Sequence, residues 1–113
     1  MARVVAVFDD LLLGSNVLGM LRAAGHEASL TGAASVHVDD AAVLVVDLTG
    51  GFDGVELVAG LRASGALGDA RTIGVYSHVD VETRRRAEAA GFDLVVPRSR
   101  MAREGPALVA RLV

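Results

Sequence analysis

The residues best placed to do chemistry are carboxylates at the ends of two apolar runs. Asp9-Asp10 follows Val4-Val5-Ala6-Val7-Phe8, and Asp47 follows Val43-Leu44-Val45-Val46. Neither run alternates apolar with polar residues, which suits strands buried on both faces of a parallel sheet. In such a sheet, ligands bind beyond the carboxyl ends of the strands. If the two strands are neighbours, three carboxylates meet at one edge, and their repulsion must be relieved by a proton or a cation. Oxygen donors with no His or Cys close by in sequence suit Mg²⁺ or a similar hard ion. That ion would screen Asp47 enough for it to attack a phosphoryl group and form an aspartyl phosphate.

The elements that must position these acids follow from periodicity. Residues 3–8 read as a first strand. Leu13, Val17, Met20, Leu21 and Ala24 then make a helical stripe that Gly25 closes. Residues 27–30 form a weaker second strand. Residues 31–40 are small and polar, and barely long enough for a helix. The apolar run ending at Asp47 is the third strand, and a glycine-rich turn, Thr49-Gly50-Gly51, follows it. Asp53 then N-caps a helix, with Glu56 as its capping-box partner, Val55, Val58 and Leu61 on its inner face and Gly65 as its stop. Residues 72–76 form a fourth strand that ends at Ser77-His78. Asp80 N-caps a helix through Arg84-Arg85-Arg86 to Ala90, with Gly91 past its end. Residues 94–96 are a fifth strand, and Pro106 suits the first turn of a last helix containing Leu108, Val109 and Leu112.

Strands alternating with helices predict an α/β fold: a flavodoxin-like, doubly wound, five-stranded parallel sheet in one domain spanning residues 1–113, its second helix short or missing. Right-handed crossovers leave few topologies. Strand order 2-1-3-4-5 sets the ends of strands one and three side by side, which brings Asp9, Asp10 and Asp47 together.

Each of these residues also has a plainer role. Asp47 can end a buried strand and bond to the turn after it, and Asp9-Asp10 can cap the first helix. Gly50-Gly51 can nest an anion or simply make a tight turn with positive φ. His78 lies at the same edge, where a solvent-facing loop histidine is the simpler reading. His26 and His37 have no partner at metal-ligand spacing.

Composition narrows the classes. Cysteine is absent, which removes disulfides and thiolate chemistry and suits a cytoplasmic location. The net charge of -3 and the 4% aromatic content argue against a general nucleic-acid surface. No apolar run approaches the roughly 18 residues of a membrane span, and no N-terminal segment reads as a secretory signal. A dinucleotide fold would need G-x-G-x-x-G after the first strand, and Asp9-Asp10-Leu11-Leu12-Leu13 stands there instead. A small-molecule binder on this fold is therefore the weakest reading.

Along nearly its whole length the chain resembles a response-regulator receiver domain. The matching pieces are Asp9-Asp10, Asp47, Asp53-Gly54, Ser77 after strand four and Ala90-Gly91 before strand five. The resemblance implies a non-enzymatic signalling domain in which Asp10 binds Mg²⁺ directly and Asp9 assists. Asp47 would accept phosphate from a histidine kinase, and Ser77 would hydrogen-bond the phosphoryl group. Counting without gaps from Gly91 puts Arg98 where the family carries a lysine, and it puts Tyr76 rather than Ser77 at the hydroxyl position. Val95 falls at the aromatic switch position, and Gly50-Gly51 replaces a common proline. Arg98 keeps the lysine's charge without its geometry, because a guanidinium fork is not an ammonium point charge. Two signalling readings follow. One is a stand-alone receiver phosphorylated on Asp47, and the other is an unphosphorylated pseudo-receiver used as an interaction or scaffold module. Either would work through a protein partner or a second copy, and Arg84, Arg85, Arg86, Arg98, Arg100 and Arg103 mark one candidate contact face.

Overall fold

The computed structural model describes residues 2–77 and 79–113, so His78 lies outside the described residues. Five strands alternate with four helices: β1 (Arg3–Val7), α1 (Leu11–Ala23), β2 (Glu27–Thr31), β3 (Val43–Asp47), α2 (Gly54–Ala63), β4 (Arg71–Tyr76), α3 (Val81–Ala89), β5 (Leu94–Pro97) and α4 (Arg98–Ala110). All neighbouring strands are parallel, in the order β2-β1-β3-β4-β5. The flavodoxin-like topology expected from the alternation is thus the one observed. Between β2 and β3 only a 3-10 turn, Ala33–Ser35, stands where a second helix would be.

The unbroken apolar strands are buried on both sides. Val4, Ala6, Val43, Val45, Ile73 and Val75 face α1 and α4, where they meet Val17, Leu21, Met101, Leu108 and Val109. Residues of the opposite parity, Val5, Val7, Leu44 and Val46, face α2 and α3 and pack with Val55, Val58, Ala87 and Phe92. A one-residue slip would exchange these two sets, so burial holds the register.

Helix ends follow their local chemistry. The Asp53 carboxylate accepts from the Glu56 amide at 3.1 Å, and Asp80 accepts from the Thr83 amide at 3.1 Å. Gly25 and Gly91, just past α1 and α3, take φ of 91° and 87°, a region costly for residues bearing a Cβ.

The last helix departs from expectation. Pro106 is not in its first turn, because α4 begins at Arg98 and carries Pro106 inside it. The reason is the buried stripe Met101, Gly105, Leu108 and Val109, whose spacing is helical throughout. Gly105 takes an apolar position there because α1 comes so close that an added Cβ would collide with the Met20 side chain. Pro97, with φ -70° and ψ 155°, is the extended residue from which α4 departs. Arg98 therefore opens a helix instead of trailing a strand.

Candidate functional site

Two neighbouring strands carry the acids to one end of the sheet. Val7 pairs with Val46, and Asp47 pairs with Val75, so Asp9 and Asp47 emerge close to the same edge. Asp47 is completely buried. Its Oδ1 accepts from the Thr49 amide at 3.3 Å. One guanidinium nitrogen of Arg98 lies 3.3 Å from Oδ1 and 3.1 Å from Oδ2. The loop after β3 closes over the carboxylate, and a Cβ on Gly50 would stand only 2.8 Å from Oδ2. Here glycine is required by close approach of the backbone.

The other two acids do different work. Asp10 is exposed and caps α1, and its Oδ1 accepts from the amides of Leu12 and Leu13, each at 3.1 Å. This is the plainer of the two roles expected for it. Asp9 is also exposed, beside the loops flanking the site: Cβ atoms on Gly51 and Gly32 would lie 3.4 and 3.7 Å from its carboxylate oxygens. The fold therefore brings Asp9 to the loop that covers Asp47, while Asp10 is committed to its helix.

Ser77 is half-buried at the rim. Its amide donates to the Thr49 hydroxyl oxygen at 3.0 Å, which ties the loop after β3 to the loop after β4. Tyr76 is buried, and it belongs to the apolar cluster on the α2 and α3 side with Leu48 and Phe92. Ser77 is thus tied to the Asp47 loop through its backbone amide, and Tyr76 lies among the apolar side chains beside Leu48. Thr49 was not singled out by sequence reasoning. The available signal was a hydroxyl two residues past Asp47, short enough to bond back across the turn.

The arginines are less free than their run suggests. Arg84 pairs with Glu88, Arg85 with Glu82, Arg100 with Glu104, and Arg86 reaches the Asp53 cap at 3.1 Å. Asp53 is held below the ordinary aspartate pKa, first by the Glu56 amide; desolvation opposes the shift, and Arg86 adds to it. Asp80 is lowered as well, by the Thr83 hydroxyl and then the Thr83 amide. Exposed pairs of this kind contribute little each. His26 is half-buried rather than free on the surface, and its Nδ1 accepts from the Ala2 amide at 3.3 Å.

The donor set as arranged does not compose a divalent-cation site. Asp47 is occupied by a guanidinium and Asp10 by two amides. No group of three or more His, Asp or Glu residues stands close enough to hold a metal ion among the described residues. Nor is any helix among them long and apolar enough to cross a membrane.

No protein-family model and no curated relative matches the chain. Solved structures do. The receiver domain of the Francisella response regulator 1452 superposes with a TM-score of 0.83 at 16% identity, covering 99% of this chain and 96% of that one. A DNA-binding response regulator of the LuxR family from Staphylococcus aureus gives 0.82 at 15% identity, covering 99% and 98%. A Burkholderia pseudomallei response regulator, solved with a phosphorylated aspartic acid, a calcium ion and citrate, gives 0.76 at 16% identity and covers 100% and 67%. The fold of this chain is that of response-regulator receiver domains.

Proposed function

We propose that the chain is a receiver-fold signalling module that acts through protein contacts and does not take a phosphoryl group on Asp47. The observation that carries this reading is the burial of Asp47, which has no side-chain surface open to solvent. A carboxylate that attacks phosphorus needs an open line of approach to the donor, whereas Asp47 has no exposed side-chain surface and Arg98 stands against both of its oxygens. The pseudo-receiver alternative raised by the sequence is thus the better supported one. A partner protein or a second copy would read a fixed surface, and the interleaved charges of α3 and α4 (Glu82, Arg84, Arg85, Glu88, Arg100, Arg103, Glu104) offer one. The absence of cysteine is compatible with a reducing compartment, and the proposed location is the cytoplasm.

The test is to incubate the protein with acetyl phosphate and Mg²⁺ and weigh the intact chain. The expected result is an unchanged mass. A gain of one phosphoryl group that disappears in Asp47→Asn would refute the reading.

A second reading keeps Asp47 as the phosphoacceptor, with Mg²⁺ held by Asp9, Asp10 and Asp47, Ser77 bonding the phosphoryl group and a histidine kinase as donor. The position of Asp9 against Gly51, on the loop that covers Asp47, favours it. In that chemistry an Asp47 oxygen attacks phosphorus, the donor's P–O or P–N bond breaks, and the donor leaves with the electron pair. It requires Asp47 to leave Arg98 and Asp10 to give up its cap.

A further inference from the structure

The cation at Asp47 is a side chain. Both carboxylate oxygens face one nitrogen of Arg98, at 3.3 and 3.1 Å. Asp47 has no exposed side-chain surface, whereas Arg98 keeps 33% of its own. The lone pairs that a hard cation would use are the ones the guanidinium already takes. Two positive groups crowded onto one carboxylate would also repel each other strongly in so dry a setting.

The fold delivers this guanidinium in a fixed place. Pro97 pairs with Tyr76 at the end of the sheet, and Arg98 follows as the first residue of α4. That helix is anchored by fully buried Met101, Leu108 and Val109, so the base of the arginine has little room to move. The Arg98 Nε is buried with no hydrogen-bond partner. Leaving an N–H dry and unpaired is costly, and the bonds made by the other end of the fork must offset it.

We propose that Arg98 is the resident counter-ion of Asp47 and takes the place of a divalent cation, so that the site draws Mg²⁺ only when this guanidinium is removed. The inference rests on the reading of Asp47 as a buried anchor and adds what neutralises it. A buried carboxylate stripped of its partner has to find another positive charge. Asp9, against Gly51 on the covering loop, supplies a second carboxylate toward which that charge is drawn.

The experiment is a Mg²⁺ titration followed by thermal melting and by calorimetry. The wild-type chain is expected to show no Mg²⁺-dependent rise in Tm and no binding heat. Arg98→Gln, which retains an N–H donor without the charge, is expected to melt lower and to recover several degrees in millimolar Mg²⁺. Adding Asp47→Asn should abolish that recovery. A wild-type Tm that rises with Mg²⁺ and stops rising in Asp47→Asn would overturn the proposal, as would an Arg98→Gln chain no more responsive than wild type. If Arg98→Gln does not fold in buffer, refolding with and without Mg²⁺ reads the same effect: folding rescued by the ion supports the proposal, and failure to rescue overturns it. Wild-type protein that binds Mg²⁺ yet gains no phosphoryl mass would sink the role of Arg98 and leave the proposed function standing. Phosphorylation without detectable Mg²⁺ binding would do the reverse.

Discussion

Removing Arg98 should be one of the most costly single changes in this protein, and the cost should vanish when Asp47 is neutralised with it. Arg98→Met keeps the aliphatic stem and deletes the charge, leaving a carboxylate with no exposed surface and only the Thr49 amide as a donor at 3.3 Å. Breaking a buried pair from one side costs roughly 3–5 kcal/mol, because the remaining charge is uncompensated. Arg98 is one-third exposed, so solvent screens part of the pair, and the low end, about 3 kcal/mol, is the appropriate figure. That is a large share of the roughly 5–15 kcal/mol that stabilises an ordinary domain. In a chain of 113 residues it amounts to a fall in Tm of about 12 °C.

Asp47→Asn is milder. The amide fills the same space, and the freed guanidinium can turn to water through its open third, so the cost is about 1 kcal/mol. Combining the two changes removes the stranded charge altogether, and the double variant should sit close to Asp47→Asn alone. Urea unfolding of the four proteins should give a coupling of about 3 kcal/mol. The reasoning is wrong if Arg98→Met costs the same in wild type and in the Asp47→Asn background, or if it costs less than about 0.5 kcal/mol in wild type.

Two further outcomes follow from the geometry. Gly74→Ala would set a Cβ 2.6 Å from Leu48 Cδ1 and 3.1 Å from Phe92 Cδ2 in the middle of β4, and overpacking of this sort costs about 1–3 kcal/mol. A lower urea midpoint with an unchanged slope would be the signature, and an unaltered midpoint would contradict the packing described for the α2 and α3 face. Asp53 and Asp80 are both depressed in the folded state, so the unfolded chain binds protons first as pH falls. Their contribution is complete above the unfolded value of about 3.9 and is lost as pH drops through the folded values. Urea midpoints between about pH 5 and pH 2 should therefore fall less steeply in Asp53→Asn combined with Asp80→Asn than in wild type. An identical acid limb would show that these caps are not formed in solution.

Much of this architecture can be read locally. An unbroken run such as Val43-Leu44-Val45-Val46 has one comfortable home, a strand covered on both sides, and capping acids and terminal glycines are recognised within a turn of the helices they close. Alternation of strands and helices, together with the handedness of crossovers, then restricts the strand order. The last helix begins earlier than local sequence suggests, because Pro106 is a strong local signal for a helix start. The stripe Met101, Gly105, Leu108 and Val109 that overrides it contains a glycine, whose reason for being there is a contact with Met20 on another helix.

The sequence by itself thus determined the sheet, its layers, and the arrival of Asp9 and Asp47 at one edge, because each depends on short-range pattern and chain-order rules. Only the tertiary structure decided what those acids do. Asp10 bonds to its own helix, Asp47 bonds across 51 positions to Arg98, and Thr49 reaches across 28 to Ser77. The physical reason is that a carboxylate's partner is chosen by which donor lies within about 3 Å after the core has packed, and nothing in the local spacing of residues reports that distance.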